Sequence, residues 1–127
     1  MSEADRAWPL SPEIQEMRAA RVRRLIHERN RRAEHFCAGI FSDPAWDVLL
    51  ELYAFALSQQ PVTVTQLGTM SYVPATTVAR WISLLESQGL IEREIDHLDT
   101  RNVYVALTRK GKIAMDGYFR GGPGEDI

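Results

Sequence analysis

The chain has 127 residues, 45% of them apolar and 25% charged, a composition that fits one globular domain and excludes both an intrinsically disordered chain and a large two-domain enzyme. Fifteen basic against seventeen acidic side chains give a formal charge of −2, which excludes a uniformly basic nucleic-acid binder but leaves room for a local basic patch. No run approaches the roughly 18 apolar residues of a membrane span, and the first residues lack the basic-then-apolar pattern of a secretory signal. The single cysteine, Cys37, rules out an internal disulfide and fits a reducing, cytoplasmic setting.

Residues 1–10 read as a flexible N-terminal arm anchored by Trp8 and Leu10. Ser11-Pro12-Glu13 then supplies a hydroxyl N-cap, a proline at the first helical position and an acid in the first turn. The spacing predicts a long helix within 11–41, its apolar stripe running from Ile14 and Met17 through Val22, Leu25 and Ile26 to Phe36, Cys37 and Ile40. Such a helix would run about 40 Å at 1.5 Å per residue, more than one small core can cover. Ile14, Met17, Leu25 and Ile26 are therefore expected to form a seam with a second copy.

Asp43-Pro44 starts a second helix carrying Trp46, Leu49, Leu50, Tyr53 and Ala56, and Thr65 is the expected cap of a short third helix ending at Met70. After a turn at 71–74, a fourth helix is predicted over 75–88, with Val78, Trp81, Ile82 and Leu85 inward and Gly89 as its stop. The period then changes to two: Ile91, Arg93 and Ile95, then Val103, Val105 and Leu107, flank the polar loop 96–102 and predict a hairpin. Thr108 caps a last helix reaching Phe119, and the glycine-rich residues 121–127 read as a disordered tail.

A short helix, a tight turn, a helix with a polar outer face and a hairpin make a winged helix-turn-helix. The predicted class is α+β, mainly α, with the winged domain over 42–120 preceded by the long N-terminal helix. On the fourth helix, Thr76, Thr77 and Ser83 can bond phosphates or bases, and Arg80 can read guanine or neutralise a phosphate. The plainer reading of the same residues is a polar solvent face. Between Arg18 and Arg32 seven arginines face a single acid, Glu28, which makes either a basic surface or a solvated edge. Trp46, Tyr53 and Trp81 belong to the core or line an effector pocket. His27, His35 and His97 show no ligand spacing, and Cys37 reads as a buried inert thiol.

Thr65-Gln66-Leu67, Thr77-Val78-Ala79-Arg80, Leu85-Glu86, Gly89-Leu90-Ile91-Glu92-Arg93, Asp96-His97-Leu98-Asp99-Thr100-Arg101 and Leu107-Thr108-Arg109-Lys110-Gly111 follow one another at family spacing. From Val62 to Gly111 the chain resembles the MarR family of transcription regulators. The resemblance implies a sequence-specific DNA-binding regulator, with no catalysis, no cofactor and no metal. It implies a homodimer on a pseudo-palindromic duplex, with Ala75, Thr76, Thr77, Arg80 and Ser83 in the major groove. Asp99, Thr100, Arg101 and Asn102 would form the wing in the minor groove, Asp99 holding the Arg101 guanidinium. A small-molecule effector is a further expectation.

The chain departs from the family pattern at Thr100, where an arginine is usual, and at His97, where a proline is usual. It departs again at Leu84 and at Pro74. From Asp43 to Ala79 there is no Lys or Arg. These departures support an alternative, a protein-interaction module on a winged-helix scaffold with vestigial DNA binding and an acidic protein partner for the arginine-rich helix. The sequence ends shortly beyond Phe119, where family members continue in long helices, so dimerisation is expected to rest on the N-terminal helix.

Overall fold

The computed structural model describes residues 10–36, 40–41, 43–70, 74–122 and 125. The positions of Trp8, Cys37 and the turn residues 71–73 lie outside them. The described residues form five helices and one two-stranded antiparallel sheet.

Helix α1 (Pro12–His35) begins as its sequence dictates: Ser11 is extended and its hydroxyl accepts the Ile14 amide at 3.3 Å. It ends earlier than expected. Phe36 leaves the helix in an extended conformation, and its ring meets Phe41 edge-on at 5.4 Å. The helix therefore spans 24 residues, about 36 Å. Its inward stripe is also less apolar than the periodicity implies, since Gln15 and Arg18 are buried there beside Ala19 and Val22.

Helix α2 (Pro44–Leu57) is apolar nearly all round and accordingly forms the centre of the core, with Leu50, Leu52, Tyr53 and Ala54 sealed from solvent. Asp43 stands at its N-cap but makes no side-chain cap bond. Helix α3 (Val64–Met70) corrects the cap assignment. Thr63 Oγ1 accepts the Gln66 amide at 3.1 Å, while Gln66 Oε1 accepts the Thr63 amide at 2.9 Å. This reciprocal capping box needs a Gln three residues after the threonine; Thr63 has one and Thr65 does not.

Helix α4 (Ala75–Ser87) is stopped by Gly89 at φ +74°, a left-handed conformation that glycine adopts without strain. Strand β1 (Ile91–Ile95) pairs with β2 (Val103–Leu107), from Ile91 opposite Leu107 to Ile95 opposite Val103. The extended residues before α3 join the far side of β2: the Val105 amide donates to Val62 O at 3.0 Å and Thr63 bridges Tyr104. Helix α5 (Arg109–Phe119) is capped by Thr108 Oγ1, which accepts the Gly111 amide at 3.1 Å.

Helix α5 brings Phe119 onto α2, where it stacks on Tyr53 at 5.5 Å and on Trp46 at 6.2 Å. Here Arg18 ties three helices and the tail together. Its guanidinium donates to Tyr53 Oη at 3.0 Å, to Asp116 Oδ1 at 3.5 Å and, through Nε, to Glu125 Oε2 at 2.9 Å, with a second bond to Glu125 Oε1. Tyr53 in turn donates to Asp116 at 2.7 Å. The Arg18 bond holds the Glu125 carboxyl below its ordinary range, and Glu125 keeps Arg18 charged despite its burial. Burial, reinforced by Asp116, pushes the Tyr53 phenol up. Glu125, within the tail residues 121–127, is the anionic partner that the buried guanidinium requires.

Candidate nucleic-acid interface

Helix α4 turns the predicted reading face outward. Ala75, Thr76, Arg80 and Ser83 are exposed and Thr77 is half-buried, while Val78, Ile82 and Leu85 enter the core. Trp81 lies partly covered beneath Arg80, whose guanidinium carbon is 5.8 Å from its ring centroid. Trp81 is therefore not grouped with Trp46 and Tyr53, which meet on Phe119. Pro74 precedes α4 without a side-chain cap bond. The carbonyl of Pro74 accepts the Thr77 and Val78 amides, at 2.9 and 3.0 Å.

The C-terminal end of α4 is clamped. Arg93 of β1 forks onto Glu86, with Nη2 at 2.7 Å and Nε at 3.3 Å from its two carboxylate oxygens. That bond lowers the Glu86 carboxyl and raises the Arg93 guanidinium. Lys110 Nζ donates to Gln88 O at 2.9 Å, Thr108 Oγ1 to Gly89 O at 2.6 Å, and the Thr108 amide to Leu90 O at 3.0 Å. The Leu107-to-Gly111 motif is thus a clasp on the chain between α4 and β1. The Glu86–Arg93 pair was missed in the sequence, although both residues stand in family fragments, because nothing local says that the helix end and the strand meet.

Beyond the last ladder pair, residues 96–102 form the wing tip. The Asp96 amide donates to Asn102 O at 3.0 Å and the Asn102 amide to Asp99 O at 2.9 Å. Asp99 takes the Arg101 guanidinium in a fork, Nε to Oδ1 at 2.9 Å and Nη2 to Oδ2 at 3.0 Å, and also accepts the Arg101 amide at 3.1 Å. The Arg101 bonds hold the Asp99 carboxyl below its usual range. The Arg101 side chain itself remains 88% exposed, and Thr100 and Asn102 are exposed beside it.

The arginines of α1 divide between buried or paired positions and exposed ones. Arg18 is buried, Arg21 donates to Phe119 O at 3.0 Å, and Arg29 pairs with Asp47 at 2.6 Å. Arg23 bonds Ser58 and lies over Phe55, while Arg32 lies over Phe41. Arg24 and Arg31 are exposed on a face they share with Glu13. Of the four expected seam residues, Leu25 and Ile26 already pack against the core, Ile14 is partly covered and Met17 is 44% exposed. Met17 and Ile26 are nine residues apart, which places them on roughly opposite sides of the helix at about 100° per residue.

A family model described as "MarR family" matches residues 41–103, from the start of α2 through the helix-turn-helix to the wing. Over that stretch, 63 of the 127 residues, the chain is similar to the MarR family. Solved MarR-like regulators share the fold. MepR of S. aureus, in a structure described as its DNA-binding conformation, aligns with TM-score 0.55 at 23% identity, covering 76% of this chain and 66% of that one. The adhesin competence repressor AdcR of Streptococcus pyogenes aligns with TM-score 0.50 at 25% identity, over 61% and 54%. ZitR of Lactococcus lactis aligns with TM-score 0.51 at 19% identity, over 61% of this chain and 49% of its own. The chain thus spans about half the length of two of these MarR-like relatives. No curated protein matches it. Among the described residues no helix is long and apolar enough to cross a membrane, and no three His, Cys, Asp or Glu side chains converge as a metal site would require.

Proposed function

We propose that this chain is a transcription regulator that binds duplex DNA and performs no catalysis. The reading rests on one pairing of features: a polar, exposed α4 face, and a wing on which an Asp99 fork holds an exposed Arg101. The MarR-family match over the same residues supports it. In this reading Ala75, Thr76, Thr77, Arg80 and Ser83 enter the major groove. Thr100, Arg101 and Asn102 reach the minor groove, where the negative potential of a narrow groove favours an arginine. Asp99 pre-orients that arginine, lowering the entropy lost on contact.

The working unit is a homodimer on a pseudo-palindromic site, its two recognition helices about 34 Å apart. The exposed side of α1 around Ile14 and Met17 supplies the seam, and Leu25 extends it; Ile26 points the other way and serves the core. The setting is cytoplasmic, and any small effector or acidic protein partner acts on this assembly.

Fluorescence anisotropy on duplexes enriched from a random pool tests the reading. Wild-type affinity should fall steeply with rising salt, with a slope set by the phosphates neutralised. Arg101→Ala should weaken binding on the order of tenfold. Unchanged affinity in Arg101→Ala removes the wing from the interface. The absence of Lys and Arg from Asp43 to Ala79 favours the second reading, a protein-interaction module. Failure of the wild-type dimer to enrich or retard any duplex at low salt selects it.

A further inference from the structure

The most exposed large apolar side chain among the described residues is Leu98, at 97%, on the wing tip. A lone exposed leucine is ordinary on a protein surface. What distinguishes Leu98 is how it is held. Its amide donates to Asp96 Oδ1 at 2.9 Å, and the loop around it is cross-linked by the Asp96–Asn102 and Asn102–Asp99 backbone bonds and by the Asp99–Arg101 fork. Pinned on both sides, the side chain gains no cover from the sheet; its neighbour Ile95, the last ladder residue of β1, is itself 55% exposed. The tip therefore exposes an apolar side chain and a guanidinium on one hydrogen-bonded loop.

The occupant must accept both groups. A DNA minor groove does: its phosphates and floor attract the cation, and apolar side chains enter it as wedges between base steps, unstacking them and kinking the duplex. We propose that Leu98 is such a wedge, and that the chain selects duplexes with an easily unstacked pyrimidine–purine step where the wing lands. Arg101 draws the tip into the groove, the hydrogen-bonded loop keeps Leu98 from folding aside, and TA or CA/TG steps yield most readily to it. The inference rests on the DNA-binding reading and adds a class of target sequence to it.

The full chain and its Leu98→Ser and Leu98→Met variants are each used to enrich duplexes from a random pool. Wild type and Leu98→Met should enrich a pyrimidine–purine step outside the major-groove half-sites, and Leu98→Ser should keep the half-sites but lose that preference. With 2-aminopurine replacing the adenine of the enriched step, wild type and Leu98→Met should raise its fluorescence, and Leu98→Ser should not. Affinity of Leu98→Ser for the wild-type duplex should drop on the order of tenfold, with thermal unfolding unchanged. Identical enrichment and fluorescence in Leu98→Ser, or wild-type enrichment without any step preference, overturns the wedge and leaves DNA binding standing. No enrichment by wild type overturns both.

Discussion

A Cβ added to Gly111 would lie 2.1 Å from the carbonyl oxygen of Leu90, and 3.2 Å from Leu107 Cδ2. No side chain fits there, so the first turn of α5 can approach the chain between α4 and β1 only with glycine in place. Gly111→Ala should destabilise the fold by about 1–3 kcal/mol, as overpacking does. Gly117 in the same helix has no atom within 4 Å of its would-be Cβ, and Gly117→Ala should stabilise by about 0.5–1 kcal/mol through helix propensity. Urea unfolding of the two variants checks both signs; equal effects would show that α5 is not held by this approach.

The capping box of α3 gives a sharper contrast. Thr63→Ala removes the hydroxyl that receives the Gln66 amide and should cost about 1 kcal/mol. Thr65→Ala alters an exposed first-turn position and should change stability by less than about 0.5 kcal/mol. Thermal melts in which Thr65→Ala is the more damaging of the pair would reverse the assignment.

Acid should loosen the tail. The folded Glu125 carboxyl is lowered by Arg18 from an ordinary value of 4.5, so its stabilisation is complete above that value and is lost as pH falls from it towards the folded value. The stability gap between wild type and Glu125→Gln should therefore be constant at neutral pH and narrow below about pH 4.5. Denaturant titrations across that range read the gap directly, and a gap independent of pH would remove Glu125 from the acid response.

The wing fork makes a prediction about order of effect. Asp99→Asn keeps the turn-forming shape but discards the charge that grips Arg101 at 2.9 and 3.0 Å. In the proposed regulator it should weaken DNA binding less than Arg101→Ala does, because the guanidinium survives and only its orientation is lost. Anisotropy titrations rank the two; a stronger defect in Asp99→Asn would mean that the carboxylate acts other than as a support for Arg101.

Much of this architecture was legible because it rests on local chemistry. Ser11, Thr108 and Gly89 mark helix ends by what they do to neighbouring amides and to φ, and the change to period two announces β1 and β2. Asp99 and Arg101 stand two residues apart, so their pairing needed no long-range information. What escaped depends on residues far apart in sequence. Helical periodicity puts Arg18 on the stripe of Ile14 and Val22, but the partners that let a charged side chain be buried there, Tyr53, Asp116 and Glu125, are assembled only by the folded packing. The seven arginines of α1 could be read as a basic surface or a solvated edge for the same reason. α1 ends at His35, ahead of the first glycine, and nothing in the local sequence marks that end. Thr63 and Thr65 are equally good caps in isolation, and Gln66 decides between them.

The pairing of Val62 and Thr63 with β2 bears on how the chain folds. The β1–β2 hairpin closes a short loop, whereas its junction with Val62 closes a much longer one through α3 and α4, at a greater entropic cost. Variants at Val62 should therefore speed unfolding while leaving the folding rate almost unchanged. The seam that joins the helix-turn-helix to its wing would then be the last part of the sheet to close and the first to open.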